Sequence, residues 1–161
     1  MNGVLKSSIL KVFNWNIIVE FISILYISLM LYTAISKLID YDLSREQMAM
    51  MPLMTPIAHV ISWLLPSTEI AIAILIFIPK TRMNGLCIVT GLMVFFTLYI
   101  VYMMTNYEHL PCSCGGLLQA LTWKGHLIFN SIFILLGTVA IFLYRKGNQR
   151  NQQHVIATSS Y

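Results

Sequence analysis

The sequence predicts an all-α integral membrane protein: a four-helix bundle with a short interfacial helix between spans one and two. Two observations carry this prediction. Of the 161 residues, 58% are hydrophobic and only 10% are charged, too few charges to coat a soluble domain of this size. The apolar residues fall in four runs, each close to the roughly 20 residues that a helix needs to cross the hydrocarbon core. Because backbone groups in lipid must be satisfied within their own segment, the runs are predicted to be helices.

The four spans are predicted at residues 17–35, 57–78, 83–104 and 125–144. The membrane domain therefore covers residues 17–145. It lies between an N-terminal segment at 1–16 and a polar tail at 146–161 that is predicted to be disordered. The first run is too long for a signal-peptide core, and no small-residue cleavage pattern follows it. We therefore expect an uncleaved first span.

Residues 42–56, DLSREQMAMMPLMTP, separate the first two spans and are too short and polar to cross a membrane. They predict a short interfacial helix that begins near Ser44 and is stopped by Pro52. This helix either covers the outer loop of the bundle or simply rests on lipid. Its apolar surface comes from Met48, Met50, Met51, Leu53 and Met54.

The distribution of lysine and arginine predicts the orientation of the spans. With both termini cytoplasmic, seven basic residues lie inside and three outside, as expected for a bacterial cytoplasmic (inner) membrane protein. The net charge of +4 does not indicate nucleic-acid binding, because the basic residues stand beside apolar runs. The inside set is Lys6, Lys11, Lys80, Arg82, Arg145, Lys146 and Arg150, and the outside set is Lys37, Arg45 and Lys124.

The segment HLPCSCGG, residues 109–116, lies between the third and fourth spans and holds the candidate catalytic pair, Cys112 and Cys114. In this orientation it faces the periplasm, where thiols can be oxidised. Residues two apart stand about 7 Å apart when extended, the outer limit for a disulfide, and Gly115 and Gly116 permit the necessary bend. Such a bridge encloses almost no chain and stabilises little, whereas a strained bridge is easily reduced. A redox pair is favoured, and a structural or unpaired role stays open.

Cys87 is excluded as a disulfide partner. It lies near the inner start of the third span, about 30 Å or more from Cys112 across the bilayer. A buried, hydrophobic role is expected for it.

A soft-metal site is the alternative function of the same segment. His109, Cys112, Cys114 and His126 supply four nitrogen and sulfur ligands on the outer face, suited to copper(I) or zinc. The spacing of two to four residues between cysteines that is usual in structural zinc sites is absent. Metal binding is therefore kept as an alternative rather than the primary prediction.

Two charged residues near or within the spans are supporting candidates. Glu69 falls near the middle of the second span, where a carboxylate must be neutralised, paired or hydrated. It is either a proton-handling acid or headgroup contact, or a protonated acid bonded to Ser28, Tyr32 or Thr97. Lys37, at the end of the first span, either favours the thiolate of a nearby cysteine or reaches out to the headgroups.

The chain resembles the MauE branch of the DoxX-like family of redox-associated bacterial membrane proteins. The resemblance is carried by YTAISKLID at 32–40, LLPSTEIAIAILIFIPKTR at 64–82, and PCSCGG at 111–116 with the following WKGHLIFN. It extends over roughly residues 17–145. It marks Lys37 and Glu69 as family positions without assigning their roles.

The resemblance implies thiol/disulfide chemistry at Cys112 and Cys114. The namesake of the family is implicated, with a thioredoxin-like partner, in maturing a disulfide-rich periplasmic subunit, so the expected partner is a periplasmic thioredoxin-like or cysteine-containing client protein. The architecture is also similar to quinone-coupled disulfide formers of the DsbB and vitamin K epoxide reductase type. A quinone is therefore a candidate cofactor, although the second cysteine pair of those proteins is missing here. A non-catalytic subunit of a larger membrane complex is a further alternative.

Overall fold

The computed structural model describes the backbone of residues 2–50, 55–106 and 122–159, and the side chains of residues 15–50, 55–106 and 122–149. These residues form five α-helices and a short 3₁₀ turn, so the predicted all-α fold is confirmed. The helices are α1 (Asn2–Ile39), α2 (Tyr41–Ala49), α3 (Ala58–Phe77), α4 (Arg82–Asn106) and α5 (Trp123–Ser159), and the 3₁₀ turn is Thr55–Ile57.

Four of the helices are long and apolar enough to cross a membrane, which confirms the four predicted spans. The candidate spans are Trp15–Ile39, Thr55–Phe77, Arg82–Asn106 and Trp123–Gln149. Many of their large apolar side chains point away from the bundle, as lipid-facing residues do. Phe21, Phe77 and Leu135, for example, are each more than 60% exposed.

The four spans pack as a closed ring. Helix α1 packs against α3 and α5, and α4 packs against the same two helices. Tyr26 of α1 lies fully buried at the centre, and its hydroxyl donates a 2.5 Å hydrogen bond to the carbonyl of Phe133 on α5. Around it, Ile72, Ile76, Leu86 and Val89 form the centre of the apolar core, on α3 and α4.

The bundle has two chemically different ends. At one, which we call the α2 end, α1 and α4 finish and α3 and α5 begin. At the other, the Arg82 end, a short connection joins α3 to α4. There Arg82 forms a 2.5 Å ion pair with Glu20, and the ammonium of Lys146 stands 5.0 Å over the ring of Trp15.

Helix α2 is the predicted interfacial helix, but it begins at Tyr41 rather than near Ser44. The reason is that α1 ends at Ile39 and only Asp40 separates the two helices, with the amide of Ser44 bonded to the carbonyl of Asp40 at 2.9 Å. The helix ends at Ala49, before Pro52. Of its predicted apolar residues, Met48 is half-buried and Met50 is exposed, while Met51, Leu53 and Met54 lie outside the described residues.

The helices extend beyond the predicted membrane domain at both ends of the chain. Helix α1 begins at Asn2, and α5 continues through the polar tail to Ser159, where the sequence favours disorder. The helix can continue because residues 145–159 contain no proline and one glycine. The cytoplasmic location of the two terminal segments stays a prediction.

Candidate functional site: a polar cavity at the α2 end

A cavity of about 390 Å³ lies inside the bundle, nearer to its α2 end. All five helices contribute to its wall. The polar part of the wall includes Lys37 from α1, Gln47 from α2, Glu69 from α3, and Trp123 and His126 from the first turns of α5.

An ion pair between Lys37 and Glu69 joins α1 to α3 in this wall. The two charged atoms, Nζ and Oε1, are 2.5 Å apart, and the side chains are only 13% and 7% exposed. Glu69 belongs to the buried stripe of α3, at helical spacing from Ser62, Pro66 and Ile76. It therefore points into the bundle rather than to lipid.

Lys37 reaches this carboxylate because side chains on a helix lean toward its N-terminus. Since Lys37 stands two residues before the end of α1, its chain leans back into the bundle, away from the headgroups. Pairing in this way neutralises both charges, which are otherwise costly inside a membrane. The ion pair is therefore a consequence of the register between α1 and α3.

Three buried polar atoms of the same wall have no hydrogen-bond partner among the described residues. They are Gln47 Oε1, Glu69 Oε2 and Trp123 Nε1. Gln47 is 8% exposed and Glu69 is 5% exposed, so neither atom has ready access to water. A buried acceptor or donor left unpaired is costly, and in native proteins such groups usually have a partner. The wall thus offers two acceptors and one donor.

The rest of the wall is apolar and rich in aromatic rings. Phe95, Phe96 and Tyr99 line it from α4, and Phe129 lines it from α5. An apolar cavity with a few convergent polar groups is the usual form of a small-molecule site. The cavity is therefore suited to a largely apolar molecule that carries a few hydrogen-bonding groups.

The structure unites two of the predicted supporting residues that the sequence had left separate. Lys37 and Glu69 contact each other, whereas two of the partners suggested for Glu69, Ser28 and Tyr32, are exposed. The third, Thr97, donates its hydroxyl to the carbonyl of Met93 at 2.7 Å. The roles of Lys37 and Glu69 in redox chemistry stay predictions.

The predicted catalytic pair lies outside the described residues. Cys112, Cys114, His109, Gly115 and Gly116 all belong to residues 107–121, which join the end of α4 to the start of α5. Both flanking helix termini are at the α2 end. The pair is therefore attached to the end of the bundle that holds the cavity.

Of the alternative metal ligands, His126 is the one that the structure describes. It is 7% exposed, lines the cavity, and its ring centre is 6.2 Å from that of Trp123. Across the described ranges, no cluster of three or more His, Cys, Asp or Glu residues could hold a metal ion. The four-ligand proposal thus depends on residues 109, 112 and 114.

The predicted burial of Cys87 is wrong. The residue is exposed on the surface of α4, while its neighbour Leu86 is fully buried. Adjacent helical residues point in directions about 100° apart, so burial of Leu86 turns Cys87 outward. A cysteine behaves as a small hydrophobe and can face lipid as readily as a core.

The sequence also missed Gln47 and Trp123 as site residues. Trp123 stands at the start of a span, where a tryptophan is equally typical of the aromatic belt at the membrane interface. Gln47 carried no signal of its own, because it follows three other polar residues, Ser44, Arg45 and Glu46. Only the packing of α2 against α3 shows that it is buried.

The four apolar spans define a multi-pass membrane protein, which contacts lipid along its outer faces. The chain belongs to the methylamine utilisation protein MauE family, whose model matches residues 15–143. The match covers the first three spans, the cysteine segment and most of the fourth span, which confirms the resemblance to MauE-like proteins. No curated protein shows significant similarity to the chain. No solved structure shows significant similarity to it either.

Proposed function

We propose that the protein exchanges thiols and disulfides through Cys112 and Cys114 with a thioredoxin-like or cysteine-containing client protein in the periplasm. The carrying observation is the attachment of residues 107–121 to the bundle end that holds the Lys37–Glu69 pair and the cavity. Membership of the MauE family is consistent with a redox-associated role in a membrane.

The exchange requires only the two sulfurs and those of the client. A thiolate of the reduced pair attacks the client disulfide, forms a mixed disulfide and releases one client thiolate. The second cysteine then attacks the mixed disulfide, which closes the Cys112–Cys114 bridge and releases the other client thiolate. Two electrons pass to the client, and two protons end on its thiols. Run in reverse, the same steps oxidise a client dithiol.

Trapping of the mixed disulfide tests this proposal. Cys112→Ser and Cys114→Ser variants are expressed in membranes, quenched with acid, alkylated and separated without reductant. At least one single variant is expected to accumulate an adduct that a reductant releases, and mass spectrometry identifies its partner. Cys87→Ser is the matched control, since this exposed cysteine lies on the surface of α4, and it should leave the adduct unchanged. A pair that remains fully alkylatable, with no adduct in either variant, contradicts the proposal.

A soft-metal function is the second candidate, and the burial of His126 in the first turn of α5 favours it. A cavity-lining imidazole adjoining the cysteine segment is a suitable fourth ligand for Cu(I) or Zn²⁺. Purified protein carrying one copper or zinc per chain, lost on Cys114→Ser and on His126→Ala, would establish this function in place of thiol exchange.

A further inference from the structure

We propose that the cavity at the α2 end binds a lipid-soluble quinone and holds its reduced form, the quinol, more tightly than its oxidised form. The binding site is inferred from the described residues alone. The role of the quinone as electron acceptor rests on the function proposed above.

The unpaired polar atoms of the wall select for the quinol. Gln47 Oε1 and Glu69 Oε2 accept hydrogen bonds and Trp123 Nε1 donates one. The two carbonyl oxygens of a quinone can only accept, so they can pair with Trp123 and leave both acceptors unpaired. The two hydroxyls of a quinol each donate one hydrogen bond and can accept another. Three unpaired protein atoms therefore find partners in the quinol and one in the quinone.

The apolar wall fits the remainder of such a molecule. Phe95, Phe96, Tyr99 and Phe129 provide ring faces and edges against which a flat six-membered ring can pack. A cavity of about 390 Å³ accommodates a substituted ring. The Lys37–Glu69 pair is neutral overall, which suits an uncharged ligand better than an anionic headgroup.

The cavity is also reached from the lipid side. Leu64 of α3 and Phe95 of α4 belong to its wall, and yet they are 60% and 62% exposed on the outer surface of the bundle. Because these helices are neighbours, the cavity meets the lipid-facing surface between them. An isoprenoid tail can leave along this opening while the ring stays inside. This lateral access favours a lipid-soluble ligand over a water-soluble one.

Coupled to the thiol pair, the bound quinone would accept two electrons and two protons. The dithiol of Cys112 and Cys114 becomes a disulfide and loses two hydrogen atoms, while the two quinone carbonyls become quinol hydroxyls. Tighter binding of the quinol makes the bound quinone a stronger oxidant than the free one, because linkage favours the better-bound product. The acceptors Gln47 and Glu69 thus promote oxidation of the thiols.

Ligand binding to the full chain tests the inference separately from thiol chemistry. A Cys112→Ser/Cys114→Ser double variant in phospholipid nanodiscs is titrated with decylubiquinone and with decylubiquinol under argon, with empty nanodiscs subtracted. We expect saturable binding at one molecule per chain, with the quinol bound about tenfold more tightly. No saturable binding of either form, or tighter binding of the quinone, overturns the inference. Neither outcome affects the trapping of mixed disulfides, which the cysteines alone decide.

Substitutions in the wall separate this site from a general affinity for lipid. Gln47→Leu removes one of the two acceptors and should weaken quinol binding about threefold while leaving quinone binding unchanged. Gln47→Met, which preserves the length of the side chain, should give the same result. Trp123→Phe should weaken both forms, and Trp63→Phe, on the exposed face of α3, is the matched control. Equal loss of both forms in the Gln47 variants, or equal effects of the two tryptophan substitutions, points to nonspecific partitioning and overturns the proposal.

Discussion

At the scale of single residues, the Lys37–Glu69 pair shows how one contact lowers the free-energy cost of placing two charged side chains within a membrane. Each alone is an expensive charge within an apolar helix, and together they form a buried pair at 2.5 Å. A buried pair contributes less to stability than its attraction suggests, since both charges lose their hydration. Removal of one partner alone is therefore expected to destabilise the protein more than replacement of both.

A double-mutant cycle tests this asymmetry. We expect Lys37→Met to lower the free energy of unfolding by about 3–5 kcal/mol, because it leaves a buried carboxylate without its counter-charge. The double variant Lys37→Met/Glu69→Gln should lose clearly less, because both charges are gone. Equilibrium unfolding in mixed detergent micelles compares these two variants and the single variant Glu69→Gln with the parent protein.

The Glu20–Arg82 pair at the opposite end provides the control. The Glu20 side chain is 53% exposed, so Glu20→Gln should cost no more than about 1 kcal/mol. A loss for Glu20→Gln as large as that for Lys37→Met would show that burial does not set the cost of breaking these pairs.

At the scale of the helices, two glycines differ in how closely other helices pack against them. A Cβ atom added to Gly137 of α5 would lie 2.6 Å from the hydroxyl oxygen of Tyr26, and it would also meet the Thr90 side chain. Helices α1, α4 and α5 therefore meet at this point, and only the absence of a side chain allows their close approach. A Cβ atom added to Gly91 of α4 meets nothing within 4 Å.

These glycines give a matched pair of substitutions. Gly137→Ala should lower the free energy of unfolding by about 1–3 kcal/mol, since the added methyl group must displace Tyr26 or Thr90. Gly91→Ala should be neutral or stabilising by up to about 1 kcal/mol, because alanine is the better helix former. Thermal unfolding followed by circular dichroism compares them, and equal losses would contradict the packing at Gly137.

The helices also show how far the sequence predicts the molecule. Hydropathy and flanking charges predict the four spans closely, because the length of an apolar run is a local property that lipid enforces. The wall of the cavity was not predictable in the same way. Gln47, Trp123 and the pairing of Lys37 with Glu69 depend on which faces of α1, α2, α3 and α5 meet, and no single run encodes that register. The prediction that Cys87 is buried was wrong for the same reason.

At the scale of the whole molecule, the distribution of basic residues predicts that the α2 end faces the periplasm. Reporter cysteines in a background without Cys87, Cys112 and Cys114 test this orientation. A membrane-impermeant maleimide should label Asn106→Cys in intact spheroplasts and Lys80→Cys only after lysis, because these exposed positions lie at opposite ends of the bundle. The reverse pattern would place the cysteine segment in the reducing cytoplasm and remove the basis for disulfide chemistry.

The tightly packed centre around Tyr26 separates the cavity from the Arg82 end of the bundle. Tyr26, Ile76, Leu86 and Val89 fill the bundle between the cavity and the Arg82 end with fully buried side chains. A molecule bound in the cavity can therefore enter and leave without a water-filled path running through the whole bundle. If the cavity binds the quinone proposed above, the packed centre would keep water and protons from crossing the bundle beside it.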